Sequence, residues 1–161
     1  MASWADMRLD EPALAAAGEA LLYQHGVGLA YLATVSAVGS PRLHPMCPLL
    51  NGRGVFAFII PSPKQRDLHR DGRFAMHSFP RPDDEDALFL SGQARLVSNH
   101  RARSALSDQF VAERRQFSVP PPSAEDHLFE FDIERALLTI TTGHGDPHPV
   151  KQVWRPPANT G

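Results

Sequence analysis

The chain has 161 residues, and 16 Lys and Arg against 18 Asp and Glu leave a formal charge of −2. A chain this long buries roughly 70% of its extended surface in a single core, so one domain spanning 1–161 is expected, with 1–10 and 155–161 as flexible ends. The near balance of charge argues against a phosphate-backbone binder, and nucleic acid is not an expected partner.

Hydrophobic residues make up 42% and charged residues 21%, ordinary for a folded globular chain. Cys47 is the only cysteine, which rules out an intrachain disulfide and any multi-cysteine metal centre, and a reducing cytoplasm is the expected location. The first residues lack the basic-then-apolar order of a secretory leader, and no apolar run is long enough to span a bilayer.

In chain order, Glu11 to Gln24 is rich in helix formers, with Asp10 as a cap, Pro12 in the first turn and His25-Gly26 as a stop. Gly28 to Ser36 alternates as a strand, Val38-Gly39-Ser40-Pro41 is a turn, and Arg42 to Leu50 runs back extended. Asn51-Gly52-Arg53-Gly54 turns the chain again into the apolar strand Val55 to Ile60. A short helix from Ser62 to about Asp71-Gly72 precedes a strand from Arg73 to Phe79 and an acidic loop from Arg81 to Asp86.

Ala87 to Val97 reads as a long strand in which Gly92 marks a bulge or a close backbone approach. Asn99 caps a helix from His100 to about Gln116, which Pro120-Pro121-Pro122 ends. Strands at His127–Asp132, Arg135–Thr142 and about Val150–Trp154 complete the series. Seven or eight short, mostly antiparallel strands with two or three helices point to an α+β barrel.

Ser62-Pro63-Lys64-Gln65 carries the sharpest chemical signal. Ser62 fits the N-cap, Pro63 the first helical position and Gln65 the third, which together make a Ser-x-x-Gln capping box. Lys64 then falls where free N–H groups already make the helix start positive. A bound phosphate would turn that mild conflict into attraction; in its absence Lys64 extends into water at a cost of only a few tenths of a kcal/mol.

In the preceding strand, alternation places Arg42, His44 and Met46 on one face and Leu43, Pro45 and Cys47 on the other. Pro45 and Pro48 remove ladder donors, which leaves an edge available to a flat heteroaromatic ring. His44 is the one candidate proton donor beside such a ring, although a strand His more often hydrogen-bonds a neighbour. On opposite faces, His44 and Cys47 make no nucleophilic dyad.

The spacing of His144 and His148 suits a metal on a helix, but Gly143, Gly145, Pro147 and Pro149 forbid one, and no metal is expected. These imidazoles could instead line the open side of a ligand. Asp83 to Asp86 and Arg114-Arg115 read as solvated charge.

Several segments, taken in order, resemble the pyridoxamine 5'-phosphate oxidase-like, FMN-binding split β-barrels. They are Leu32-Ala-Thr-Val, Gly39-Ser-Pro-Arg-Leu-His-Pro-Met, Val55-Phe-Ala-Phe-Ile, Ser62-Pro-Lys-Gln-Arg-Asp-Leu with Asp71-Gly-Arg-Phe-Ala-Met-His, and Leu88-Phe-Leu-Ser-Gly-Gln-Ala-Arg-Leu. Leu128-Phe-Glu-Phe-Asp-Ile-Glu-Arg-Ala continues the series, and the order holds from about Leu22 to Trp154. The resemblance implies an α+β, mostly antiparallel six-stranded split β-barrel with flanking helices, forming a homodimer with flavin at the subunit interface. Arg42, Leu43, His44 and Pro45 would line the isoalloxazine ring, Phe58 and Ile59 would sit beside it, and Ser62 and Lys64 would hold the phosphate. The partner chain would bring Leu88 with its neighbours Ala87 and Phe89, and Lys151 to Trp154 would close the site.

Pro63 stands where the family often has Arg, and the family's vitamin B6 substrate motifs find no counterpart. The implied activity is therefore FMN-dependent hydride transfer involving a small molecule. The alternatives are a reductase using the deazaflavin F420, with Arg66 and Arg70 meeting its longer anionic tail, and a non-catalytic flavin or haem carrier.

Overall fold

The computed structural model describes residues 1–158. Its helices are α1 (Trp4–Asp10), α2 (Pro12–Leu22), α3 (Pro63–Arg70) and α4 (His100–Glu113), with a 3₁₀ turn at Arg115–Phe117. The strands are β1 (Ala30–Val35), β2 (Pro41–Met46), β3 (Leu49–Leu50), β4 (Val55–Ile59), β5 (Arg73–Ser78), β6 (Ala87–Leu96), β7 (His127–Ile140) and β8 (Val150–Trp154).

All the strand pairs are antiparallel, in the order β2-β1-β5-β6-β7-β4-β3, with β8 added to β7. β2 and β3 stand at opposite ends of that order, yet only Cys47 and Pro48 separate them in the chain. Counting Pro41 to Leu50 as one bent strand gives six strands in a circle closed covalently rather than by a ladder. Prolines at 45 and 48 explain the break, since neither has an N–H to donate. This is an α+β split barrel.

One cross-strand row shows how the sequence pattern builds the barrel. His44, Leu32, Met76, Leu90, Ala136 and Trp154 stand opposite one another across six strands. All but His44 are buried. The adjacent row, Pro45, Tyr31, His77, Phe89, Leu137 and Val153, lies on the outer face, and none of these six side chains is fully buried. A smaller buried cluster of Leu49, Phe56, Leu106 and Leu128, with Phe58 and Phe110, lies under α4.

The first ten residues do not form a flexible end. Ser3 and Asp6 make a reciprocal capping box for α1, and Ala2 pairs with Ile133 through two backbone hydrogen bonds. Trp4 and Met7 are buried in the main core, at roughly 1.5–3 kcal/mol each. Residues 159–161 of the other expected flexible end lie outside the described residues.

The strands expected at 127–132 and 135–142 are a single 14-residue strand, β7. It pairs with β6 along one edge and with β4 and then β8 along the other. Its pairing with β6 shifts register at Ser91/Gly92, so Glu134 is the extra residue of a bulge. A Cβ on Gly92 would stand 2.0 Å from the Asp132 carbonyl oxygen, so the backbones touch there. Among the described residues, no helix is long and apolar enough to cross a membrane.

Candidate functional site

β2 and the middle of α3 meet around Asp67, a role that sequence patterning did not reveal. Asp67 is 3% exposed; it accepts a hydrogen bond from the Thr34 hydroxyl at 2.9 Å and pairs with Arg42 Nε and Arg70 Nη2, each at 3.1 Å. Arg70 also donates to the Val35 carbonyl. A buried carboxylate thus fastens the helix to both β1 and β2, and its charge orients the Arg42 guanidinium. The only local sign of this is an acidic residue inside the basic run Lys64 to Arg70.

The start of α3 is capped as expected: the Ser62 hydroxyl accepts from the Gln65 N–H at 3.4 Å. The reciprocal half of the capping box is absent. The Gln65 side chain is held elsewhere, its Nε2 donating to the carbonyls of Ile59 at 2.7 Å and Glu125 at 2.9 Å. The Ser62 hydroxyl donates to the Ile60 carbonyl at 2.7 Å, so its proton is already used.

Lys64 is half-buried and, among the described residues, has neither a carboxylate partner nor a hydrogen bond to its backbone N–H. Burial lowers its pKa, opposed by the nearby Cys47 thiol. His44 lies close by, its pKa lowered by burial and then by the charges of Lys64 and Arg42, against a weaker pull from Asp67. Its Nε2 is buried without a hydrogen-bond partner. Arg42, His44 and Lys64 therefore form one cluster: two cations beside a neutral imidazole, with Asp67 holding the first cation.

The remaining expected site residues separate. Leu43 and Pro45 face outward, opposite to Arg42 and His44. Ile59 is 1% exposed in the barrel core, while Phe58 points the other way, packed edge-on against Phe110 at 5.9 Å with Arg103 over its ring. Leu88 is fully buried against Gly18. Trp154 is also buried, its indole N–H donating to Asp10 at 3.1 Å.

Ile59, Leu88 and Trp154 thus present no side-chain surface to a ligand, because each occupies an inward position of its strand. Phe89 and Lys151 lie on the outer face. Phe89 stands three strands from β2 in the sheet order, and both it and Lys151 lie on the face opposite to that of Arg42 and His44.

His144 is tied down by the Pro82 carbonyl at 2.9 Å, with Glu85 at 3.8 Å, and Asp86 accepts from the Thr141 N–H and hydroxyl. The acidic 81–86 loop is therefore a brace for the 141–148 loop as well as a solvated turn.

No protein-family model matches the sequence, and no curated protein does. Solved structures share the fold. A Listeria innocua protein provisionally named pyridoxamine 5'-phosphate oxidase superposes with a TM-score of 0.59 at 16% identity, over 74% of this chain and 93% of that one. A haem-binding protein from Mycobacterium smegmatis gives 0.62 at 17%, over 85% of this chain and 57% of that one. An F420 reductase gives 0.56 at 16%, over 73% and 94%. At these identities the likeness is one of fold, and it spans proteins named as an oxidase, a haem binder and an F420 reductase.

Proposed function

We propose that the chain is an FMN-dependent oxidoreductase of the split-barrel superfamily, acting on a small molecule as a homodimer. Lys64 carries the reading. It is a half-buried cation at the opening of α3, its own N–H is free, and the carboxylate within reach of the cluster is already engaged by Arg42, Arg70 and Thr34. A phosphate there would meet the ammonium, one amide and the positive helix end together. The Ser62 hydroxyl proton is spent on the Ile60 carbonyl and Pro63 has no N–H, so the fit rests on Lys64.

FMN, when bound, supplies the hydride chemistry. Arg42, with its Nε on Asp67, keeps its remaining N–H groups for negative charge on a ring. His44 offers a neutral imidazole nitrogen. The outer face supports the two-copy reading: Leu43 on β2 is 67% and Val153 on β8 52% exposed, and neither buried cluster includes the outer row from Pro45 to Val153. Phe89 and Lys151 would reach a ligand from a second copy.

F420 is the second reading. Arg66 is exposed and unpaired among the described residues, suiting a longer anionic tail, but Arg70 is taken by Asp67 and Val35. The test is titration of cofactor-free protein with FMN, F420 and haemin, followed by addition of reduced nicotinamide. FMN binding that weakens ten- to a hundredfold in Lys64→Ala, with bleaching of the flavin by the donor, supports the reading. A Soret band with haemin and no affinity for FMN or F420 overturns it.

A further inference from the structure

Away from that cluster, His69 on α3 and His127 at the start of β7 bring two imidazoles together. His69 Nε2 and His127 Nδ1 are 2.6 Å apart, with the rings at 86° and their centroids 4.8 Å apart. His69 is exposed and His127 half-buried. Phe129 packs edge-on against His69 at 5.1 Å and limits its rotation. Neither imidazole pairs with a carboxylate among the described residues.

We propose that His69 and His127 chelate one borderline divalent transition ion, of the Cu²⁺, Ni²⁺ or Zn²⁺ class, with water filling the other positions. Imidazole nitrogen selects these ions over Mg²⁺ and Ca²⁺, which require oxygen ligands. Bonds of about 2.0–2.1 Å to a tetrahedral ion set two ligand nitrogens roughly 3.3 Å apart. The present 2.6 Å contact therefore has to open slightly, which small rotations of two rings at the surface supply.

The two ligands come from different elements, so the ion would clip α3 to the barrel wall. It lies more than one helical turn from Lys64, and the site is independent of any cofactor held there. Among the described residues no three His, Cys, Asp or Glu side chains converge, so the ion would be exchangeable, with open coordination positions.

The test is calorimetric titration of the tag-free chain with NiCl₂ and CuCl₂ at neutral pH, with MgCl₂ as control and melting temperature as a second readout. One ion per chain, a raised melting temperature and no response to Mg²⁺ are expected. His69→Ala and His127→Ala should each weaken binding at least tenfold, whereas His144→Ala and His148→Ala leave it unchanged. No saturable binding by the wild-type chain, or equal binding by the His69 and His127 variants, overturns the proposal and leaves a proton-sharing pair only.

Discussion

The Tyr23 hydroxyl accepts the Leu50 backbone N–H at 2.9 Å and donates to the Glu113 carboxylate at 3.2 Å, joining the end of α2, the edge of β3 and the last turn of α4. Gln109 completes the arrangement by donating to the Leu50 carbonyl at 3.0 Å and to Glu113 at 2.7 Å. Both backbone groups of an edge residue are thus satisfied by side chains rather than by another strand.

Tyr23→Phe leaves the Leu50 N–H without its acceptor and should cost about 1–3 kcal/mol in urea unfolding. Burial, followed by the Glu113 charge, raises the Tyr23 pKa well above that of a free phenol, against the Leu50 hydrogen bond. Because the folded state holds this proton more tightly, the stabilisation is complete below pH 10 and is lost as pH rises towards the folded value. In a Tyr31→Phe background, which leaves Tyr23 as the one tyrosine, absorbance at 295 nm should show it still protonated where model phenols ionise; ionisation near pH 10 in the folded chain would refute the arrangement.

Asp67→Ala removes a buried acceptor shared by Thr34, Arg42 and Arg70. Both arginines are about 40% exposed and re-solvate, so the cost should be about 1–3 kcal/mol rather than that of a fully buried pair. Denaturant midpoints of Asp67→Ala and of an Arg42→Met, Arg70→Met double variant measure it. Strict additivity when the two are combined would show that the three groups do not interact.

Gly92→Ala forces a Cβ to within 2.0 Å of the Asp132 carbonyl oxygen, an atom fixed in the β7 backbone. The strands must part at the bulge, and a loss of about 1–3 kcal/mol or more is expected. Gly39→Ala, a substitution with open space around its Cβ, provides a comparison that isolates the cost of positive φ alone. Equal melting temperatures for the two variants would argue against the close approach.

Asp71 is held down to about 2, chiefly by the hydrogen bonds of Arg73, whose Nε and Nη2 donate at 2.6 and 2.7 Å. A depressed carboxyl contributes stability above its unfolded pKa near 3.8, and that contribution disappears as pH falls through about 2. Carboxyl-carbon NMR should find the Asp71 midpoint near 2 and see it move towards 3.8 in Arg73→Ala. A midpoint insensitive to that change would remove the pair from the solution structure.

Phe89→Asp introduces a charge at the centre of the outer row while leaving the inward residues intact. If two copies meet there, sedimentation velocity should show a dimer for the wild-type chain and a monomer for the variant. A wild-type monomer at all concentrations would count against the two-copy reading.

Much of the barrel was legible because its signals are local. Asn99 accepts from the Ala102 N–H at 2.9 Å as its position before a helix suggests, and Gly92 marks a bulge within an otherwise apolar strand. What escaped detection depends on distant partners. α1 is held by Trp4 and Met7 entering a core built mainly from later strands, and nothing within seven residues announces that. Gln65 has the spacing for a capping box, but Ile59 and Glu125 claim its amide once the chain is folded. Strand parity also decides the site: Ile59, Leu88 and Trp154 have the right neighbourhood in sequence but point inward.

The split between β2 and β3 has a further consequence. A circle finished by peptide bonds cannot be opened by competing water, and it cannot be closed again once those bonds are cut. A single nick between Cys47 and Pro48 would turn two tethered margins into free ends, so the integrity of the whole ring rests on its shortest connector.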